Sequence, residues 1–118
     1  MNKKNTLVQI DHELLNDYVK SLGVDIVRQM LSLYSQQVVI YLEDIEKSLQ
    51  CDNADLWQEH CHKMKGAAGS VGLKSLHESL VIMEKTSADI TEKAQQLVEL
   101  KAHNKQALET FNLWLEKR

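Results

Sequence analysis

The sequence of 118 residues has no proline and only four glycines. With so few breakers, long stretches of chain can stay helical. It has two cysteines, Cys51 and Cys61, which is too few for a disulfide framework and not a paired metal-ligand pattern. A reducing compartment, the cytoplasm, is therefore the default expectation. It lacks any apolar run of the length that spans a bilayer, so no direct membrane contact is expected. The basic start Met1-Asn2-Lys3-Lys4-Asn5-Thr6 is not followed by the apolar segment of a signal peptide. It also lacks an excess of positive charge. Fourteen Lys and Arg face 17 Asp and Glu, for a net charge of -3 and a pI near 5.9. That balance argues against a nucleic-acid partner.

What the chain does have is apolar residues, 43% of the total, spaced at three and four. A mass of 13.6 kDa fits one domain over residues 1–118. A chain of this length buries about two-thirds of its unfolded surface without staples. Asp11 can cap a short helix with the stripe Leu14, Leu15, Tyr18, Val19 and Leu22, closed by Gly23. A long second helix carries Val27, Met30, Leu31, Tyr34, Val38, Tyr41, Leu42, Ile45 and Leu49, and stops near Cys51, where Asp52 or Asn53 can cap the next. The third runs from about Ala54 to Val71 with Trp57, Cys61, Met64, Ala68 and Val71 inward. Gly72 breaks it. A fourth carries Leu73, Leu76, Leu80 and Met83. A loop over Thr86–Thr91 leads to a last helix with Leu97, Leu100, Leu108, Phe111 and Leu115, where Asn104 interrupts the apolar pattern. Short connections between long amphipathic helices predict an all-α fold, an antiparallel up-down four-helix bundle with a short leading helix.

The third helix holds two glycines in its interior, Gly66 and Gly69. Each costs about 1 kcal/mol relative to alanine at an exposed position, so the helix has a reason to keep them. His62, Lys65, Gly66 and Gly69 fall at i, i+3, i+4 and i+7, on one stripe apart from the core residues. The expectation is an imidazole facing solvent beside a small hollow. Between His60 and His77 there are three lysines, Lys63, Lys65 and Lys74, and no acidic residue. Such a local positive face suits an anion or an acidic partner surface. An exposed neutral imidazole is a competent nucleophile near neutral pH.

Other readings are weaker. His60, Cys61 and His62 are consecutive or nearly so and diverge around the helix, so they do not form a metal pair of i, i+3 or i, i+4 type. The segment Gly69–Ser75 has glycines but not the spacing of a phosphate loop, and no strand precedes it. His60 lies about 200° around the helix from His62 and reads as a rim residue. His12, His77 and His103 have no motif around them.

The run His62-Lys63-Met64-Lys65-Gly66-Ala67-Ala68-Gly69-Ser70-Val71-Gly72-Leu73 resembles the signature of histidine-containing phosphotransfer (HPt) domains, the relay modules of bacterial multistep phosphorelays. It is similar to HPt domains at the C-terminal end of hybrid sensor kinases of the anaerobic-sensing type. The resemblance implies that His62 is phosphorylated, that Lys65 assists the phosphate, and that Gly66 and Gly69, with Lys63, belong to the surface that receives a partner. It implies receiver domains as partners, donating and accepting the phosphoryl group through aspartates. Those domains would supply Mg²⁺, and the module would need no cofactor of its own and have no autonomous kinase activity. A monomer is expected, free in the cytoplasm or at the cytoplasmic end of an inner-membrane hybrid kinase. A non-catalytic helical adaptor and a regulator that drains phosphate from a receiver are the alternatives.

Overall fold

The computed structural model describes residues 9–118, so the basic start Met1–Thr6 lies outside the described residues. Five helices follow in order: α1 (His12–Leu22), α2 (Val24–Gln50), α3 (Ala54–Ser70), α4 (Lys74–Glu84) and α5 (Ile90–Glu116). Three of the helix starts are set by side-chain caps. The side chains of Asp11, Asn53 and Asp89 accept hydrogen bonds from the backbone N–H of Leu14, Leu56 and Glu92. These caps satisfy donors that the first turn leaves open. Gly23 ends α1 with φ +90°, its N–H donating to the Val19 carbonyl at 2.9 Å, and α2 begins at the next residue. The expectation that α3 includes Val71 is off by one residue, because Val71 is its C-cap. Likewise α5 starts inside the expected loop, at Ile90.

The apolar stripes meet in one core. Leu15, Val27, Ile45, Trp57, Cys61, Met64, Ala68, Leu73, Leu76, Leu80, Ala107 and Phe111 are essentially excluded from solvent. Truncating Phe111 to alanine there would cost about 3–5 kcal/mol through lost burial and the cavity left behind. Helices α2 to α5 run alternately up and down. The Trp57 indole N–H of α3 donates to the Met83 carbonyl at the end of α4, 2.8 Å away. Lys101 of α5 reaches Glu46 of α2 at 2.7 Å. The polar interruption Asn104 is buried, and its Oδ1 accepts the Tyr34 hydroxyl of α2 at 2.9 Å. It thus sets the register of α2 against α5 from inside the core.

Helix α1 closes one end. The Asp11 N–H donates to the Gly72 carbonyl at 2.8 Å, and the Tyr18 hydroxyl donates to the Ser70 carbonyl at 3.0 Å. Gly72 has φ +77°, and a Cβ there would sit 2.9 Å from Leu15 Cδ2. A side chain at this turn would be strained twice, by backbone conformation and by the Leu15 it would strike. The leading helix is therefore fastened to the α3–α4 turn. No helix among the described residues is long and apolar enough to cross a membrane.

Candidate functional site

Helix α3 presents its core stripe, Trp57, Cys61, Met64 and Ala68, to the interior. The stripe offset from it faces out, and His62 is 65% exposed. One turn further on, Gly66 is exposed, and a Cβ at Gly66 would meet nothing within 4 Å. The hollow expected beside His62 is thus open at Gly66. Gly69 is different. A Cβ there would lie 2.9 Å from Nδ1 of His77, a ring carried by α4. The same Nδ1 is 3.1 Å from the Lys65 carbonyl oxygen. Gly69, expected on the same partner surface as Gly66, also makes room for His77, so helices α3 and α4 close up there. Gly66, Gly69, Ser70, Gly72, Lys74, His77 and Asp11 together line a shallow groove beside the site.

The charge pattern is also revised. No acid lies between His60 and His77 in sequence, but Glu84 enters from the C-terminal end of α4. Its Oε2 is 3.0 Å from His62 Nδ1 and its Oε1 is 2.6 Å from Lys65 Nζ. Lys65 is 20% exposed and Glu84 12%, so both are largely sheltered while the imidazole above them stays wet. The hydrogen bond from Lys65, ahead of that from His62, holds the Glu84 carboxyl below its usual range against the opposing effect of burial. Lys65 is thus already paired, not a free cation waiting for an anion. Lys63 is 54% exposed and 3.4 Å from Glu59, one turn back on the same helix. Glu84 is the site residue that reading the sequence missed. It stands 22 residues from His62 on another helix, beyond the reach of any local spacing rule.

This geometry decides the ring's roles. An ionised carboxylate accepts and does not donate, so Nδ1 of a neutral His62 carries the proton and donates it to Glu84. The lone pair is then left on Nε2. The carboxylate–imidazole pairing is the device that fixes a histidine tautomer in many sites.

The remaining histidines fall elsewhere. His12 is exposed, and His60 is partly exposed at the rim. His103 of α5 is half-buried between the Ser75 and Ser79 hydroxyls of α4, at 3.0 and 3.2 Å, and burial pulls its pKa down. Cys61 points into the core, where burial, with the Glu84 charge adding to it, pushes its thiol up to about 12. It cannot pair with His62 as a nucleophile. Among the described residues no group of three or more His, Cys, Asp or Glu side chains is placed to hold a metal ion.

Comparison with known proteins agrees with the fold. Residues 29–110 match the Hpt domain family. The aerobic respiration control sensor protein ArcB of Escherichia coli K12 is 30% identical over 69 residues, which is 58% of this chain and 9% of ArcB. The ArcB protein of Shigella flexneri gives the same figures. The chain thus spans 9% of the length of these curated relatives. The structure of the histidine-containing phosphotransfer domain of ArcB from E. coli superposes with a TM-score of 0.85 at 23% identity, covering 96% of this chain and 98% of that one. The solution structure of the same domain gives 0.83 at 24% identity, with 98% and 94% covered. With five helices in the order described and the family match extending from α2 through most of α5, the chain belongs to the Hpt domain family.

Proposed function

We propose that His62 is the phosphorylated residue of this module, and that it accepts a phosphoryl group from one receiver domain and passes it to another. The observation that supports this most is the ring itself. It is exposed on a rigid helix, has its Nδ1 3.0 Å from the Glu84 carboxylate, and stands next to the open space at Gly66. In the forward step, Nε2 attacks the phosphorus of a receiver's aspartyl phosphate. The new N–P bond forms as the P–O bond to the aspartate breaks, and that electron pair leaves with the carboxylate. Nδ1 keeps its proton, and the cationic character that develops on the ring is balanced by Glu84. Transfer onward reverses the same bonds with a second aspartate.

Lys65 then has two anions within its reach, Glu84 and the phosphoryl group on His62. Its flexible stem lets the ammonium shift toward the second without leaving the first. Gly66 leaves room for the partner's backbone, and Lys63 and Lys74 give that surface positive charge. Mg²⁺ would come from the receiver domain and would offset the charge on the phosphoryl oxygens there. The module contributes orientation and a held tautomer, which is why we assign it a carrier role without kinase activity. By this reading the chain works on the cytoplasmic side of the membrane.

The test is to incubate the protein with a phosphorylated receiver and Mg²⁺, then measure acid-labile phosphate on the chain. Label is expected on His62 and absent from a His62→Gln variant. Label that persists in His62→Gln overturns the assignment. Return of the label to a second receiver, rather than its release as free phosphate, separates a relay from a phosphate drain.

A further inference from the structure

Helix α2 has two faces. Val27, Leu31, Tyr34, Val38 and Ile45 are buried against the bundle. Its outer face is also apolar. Ile26, Leu33 and Ile40 stand at i, i+7 and i+14, so they form one line along the helix, and they are 40%, 65% and 49% exposed. In a chain that is 26% charged, the segment from Ile26 to Leu42 contains a single charged residue, Arg28. Loss of charge together with aligned exposed aliphatics marks the centre of a protein interface, not an ordinary solvated face.

The pattern also says what covers it. About Leu33 as midpoint the exposed line reads the same in both directions: Ile26, Gln29, Leu33, Gln37, Ile40. A two-fold axis through Leu33 would set Ile26 against Ile40 of a second copy, Gln29 against Gln37, and Leu33 against itself. Apolar groups meet apolar groups, amides meet amides, and no like charges face each other although each chain carries -3. The two helices would run antiparallel, which also opposes their dipoles favourably. An isologous contact requires this self-complementarity. We infer that the outer face of α2, centred on Leu33, is the seam of a homodimer of this chain. This inference departs from the monomer expected from the sequence. The contact is one helix wide, so it is a weak, concentration-dependent association.

Sedimentation velocity over a range of protein concentrations tests it, with a Leu33→Glu variant alongside. Leu33 is mostly exposed, so the variant keeps its helical circular dichroism. The wild-type chain is expected to move toward twice 13.6 kDa as concentration rises. The variant should need at least about tenfold more protein to do so, because it places a charge at the interface centre. A second arm uses the axis. In a Cys51→Ser background, Leu33→Cys should form an interchain disulfide under mild oxidation, while Leu113→Cys, equally exposed but off this face, should not. A wild-type chain that stays monomeric at every concentration overturns the inference. So does a dimer that Leu33→Glu leaves intact, or a monomer in which Leu33→Glu slows phosphotransfer, which would assign the face to the receiver.

Discussion

The His62 ring and the Glu84 carboxylate, on neighbouring helices, are 3.0 Å apart, and the second oxygen of the same carboxylate holds Lys65 at 2.6 Å. One sheltered anion therefore ties the exposed imidazole to the lysine one turn away. Replacing it separates two effects. Glu84→Gln keeps an acceptor for Nδ1–H, so the tautomer should survive. Glu84→Ala removes it, and the Nδ1–H form should give way to a mixture. Nitrogen-15 NMR of the His62 ring reads this directly. Phosphotransfer to His62 should fall by at least about tenfold in Glu84→Ala, the loss of one charge-assisted hydrogen bond of roughly 1.5–3 kcal/mol, and by less in Glu84→Gln.

The same carboxylate sets an acid limit. Its pKa in the folded chain lies below the ordinary value of 4.5, chiefly through the hydrogen bond from Lys65. A carboxyl depressed by folding adds stability that is present above its unfolded pKa and lost as pH falls through the lower folded value. Urea unfolding of the wild-type chain and of Glu84→Gln should therefore differ most near neutrality. The difference should shrink as the pH drops below 4.5, and a difference that grows on acidification would contradict the pairing.

The two glycines of α3 predict opposite outcomes. A Cβ at Gly66 meets nothing, so Gly66→Ala should raise stability by up to about 1 kcal/mol through helix propensity. Gly66→Leu should leave the fold helical yet slow transfer by filling the space the partner needs. Gly69→Ala carries the same propensity gain but drives a methyl into the His77 ring, which is also held by the Lys65 carbonyl. Its melting temperature should fall short of that of Gly66→Ala, and adding His77→Ala should restore part of the gap.

Tyr34 and Asn104 form a buried pair, and burial pushes the Tyr34 phenol far above its usual value. Tyr34→Phe should cost about 1–3 kcal/mol in urea unfolding, because Asn104 Oδ1 loses its donor in the core. A change within experimental error would mean that the pair contributes little.

The cysteines differ by exposure. Cys51 is exposed and Cys61 is buried with a raised thiol pKa. Since the thiolate is the reactive form, one equivalent of iodoacetamide should react with the native chain and two after unfolding.

Local signals carried most of the fold into view. Asp11, Asn53 and Gly23 act through hydrogen bonds and dihedrals a few residues away, so their caps and breaks can be read from neighbours in sequence. The core stripes of α2 and α3 follow from periodicity alone. Trp114 did not, although it is buried at the end of α5 against Phe111, with the Arg118 guanidinium over its ring. The stripe at the end of α5 is wide, and periodicity does not say how far round it extends. At the site, His62 and Gly66 could be placed from spacing on one helix. Glu84 and His77 could not. Their contacts depend on how far α4 slides along α3, which is a property of packing and not of either helix by itself. Asn104 was visible as an interruption, but its partner lies 70 residues back in α2.

The bond from Asp11 to Gly72 fixes more than the end of the bundle. Gly72 lies ten positions after His62, a span of about 15 Å at 1.5 Å per residue. Asp11 is therefore held within about that distance of the His62 ring. A domain tethered there by a short linker would be held at a high effective concentration near the ring, and would compete with any partner arriving from solution.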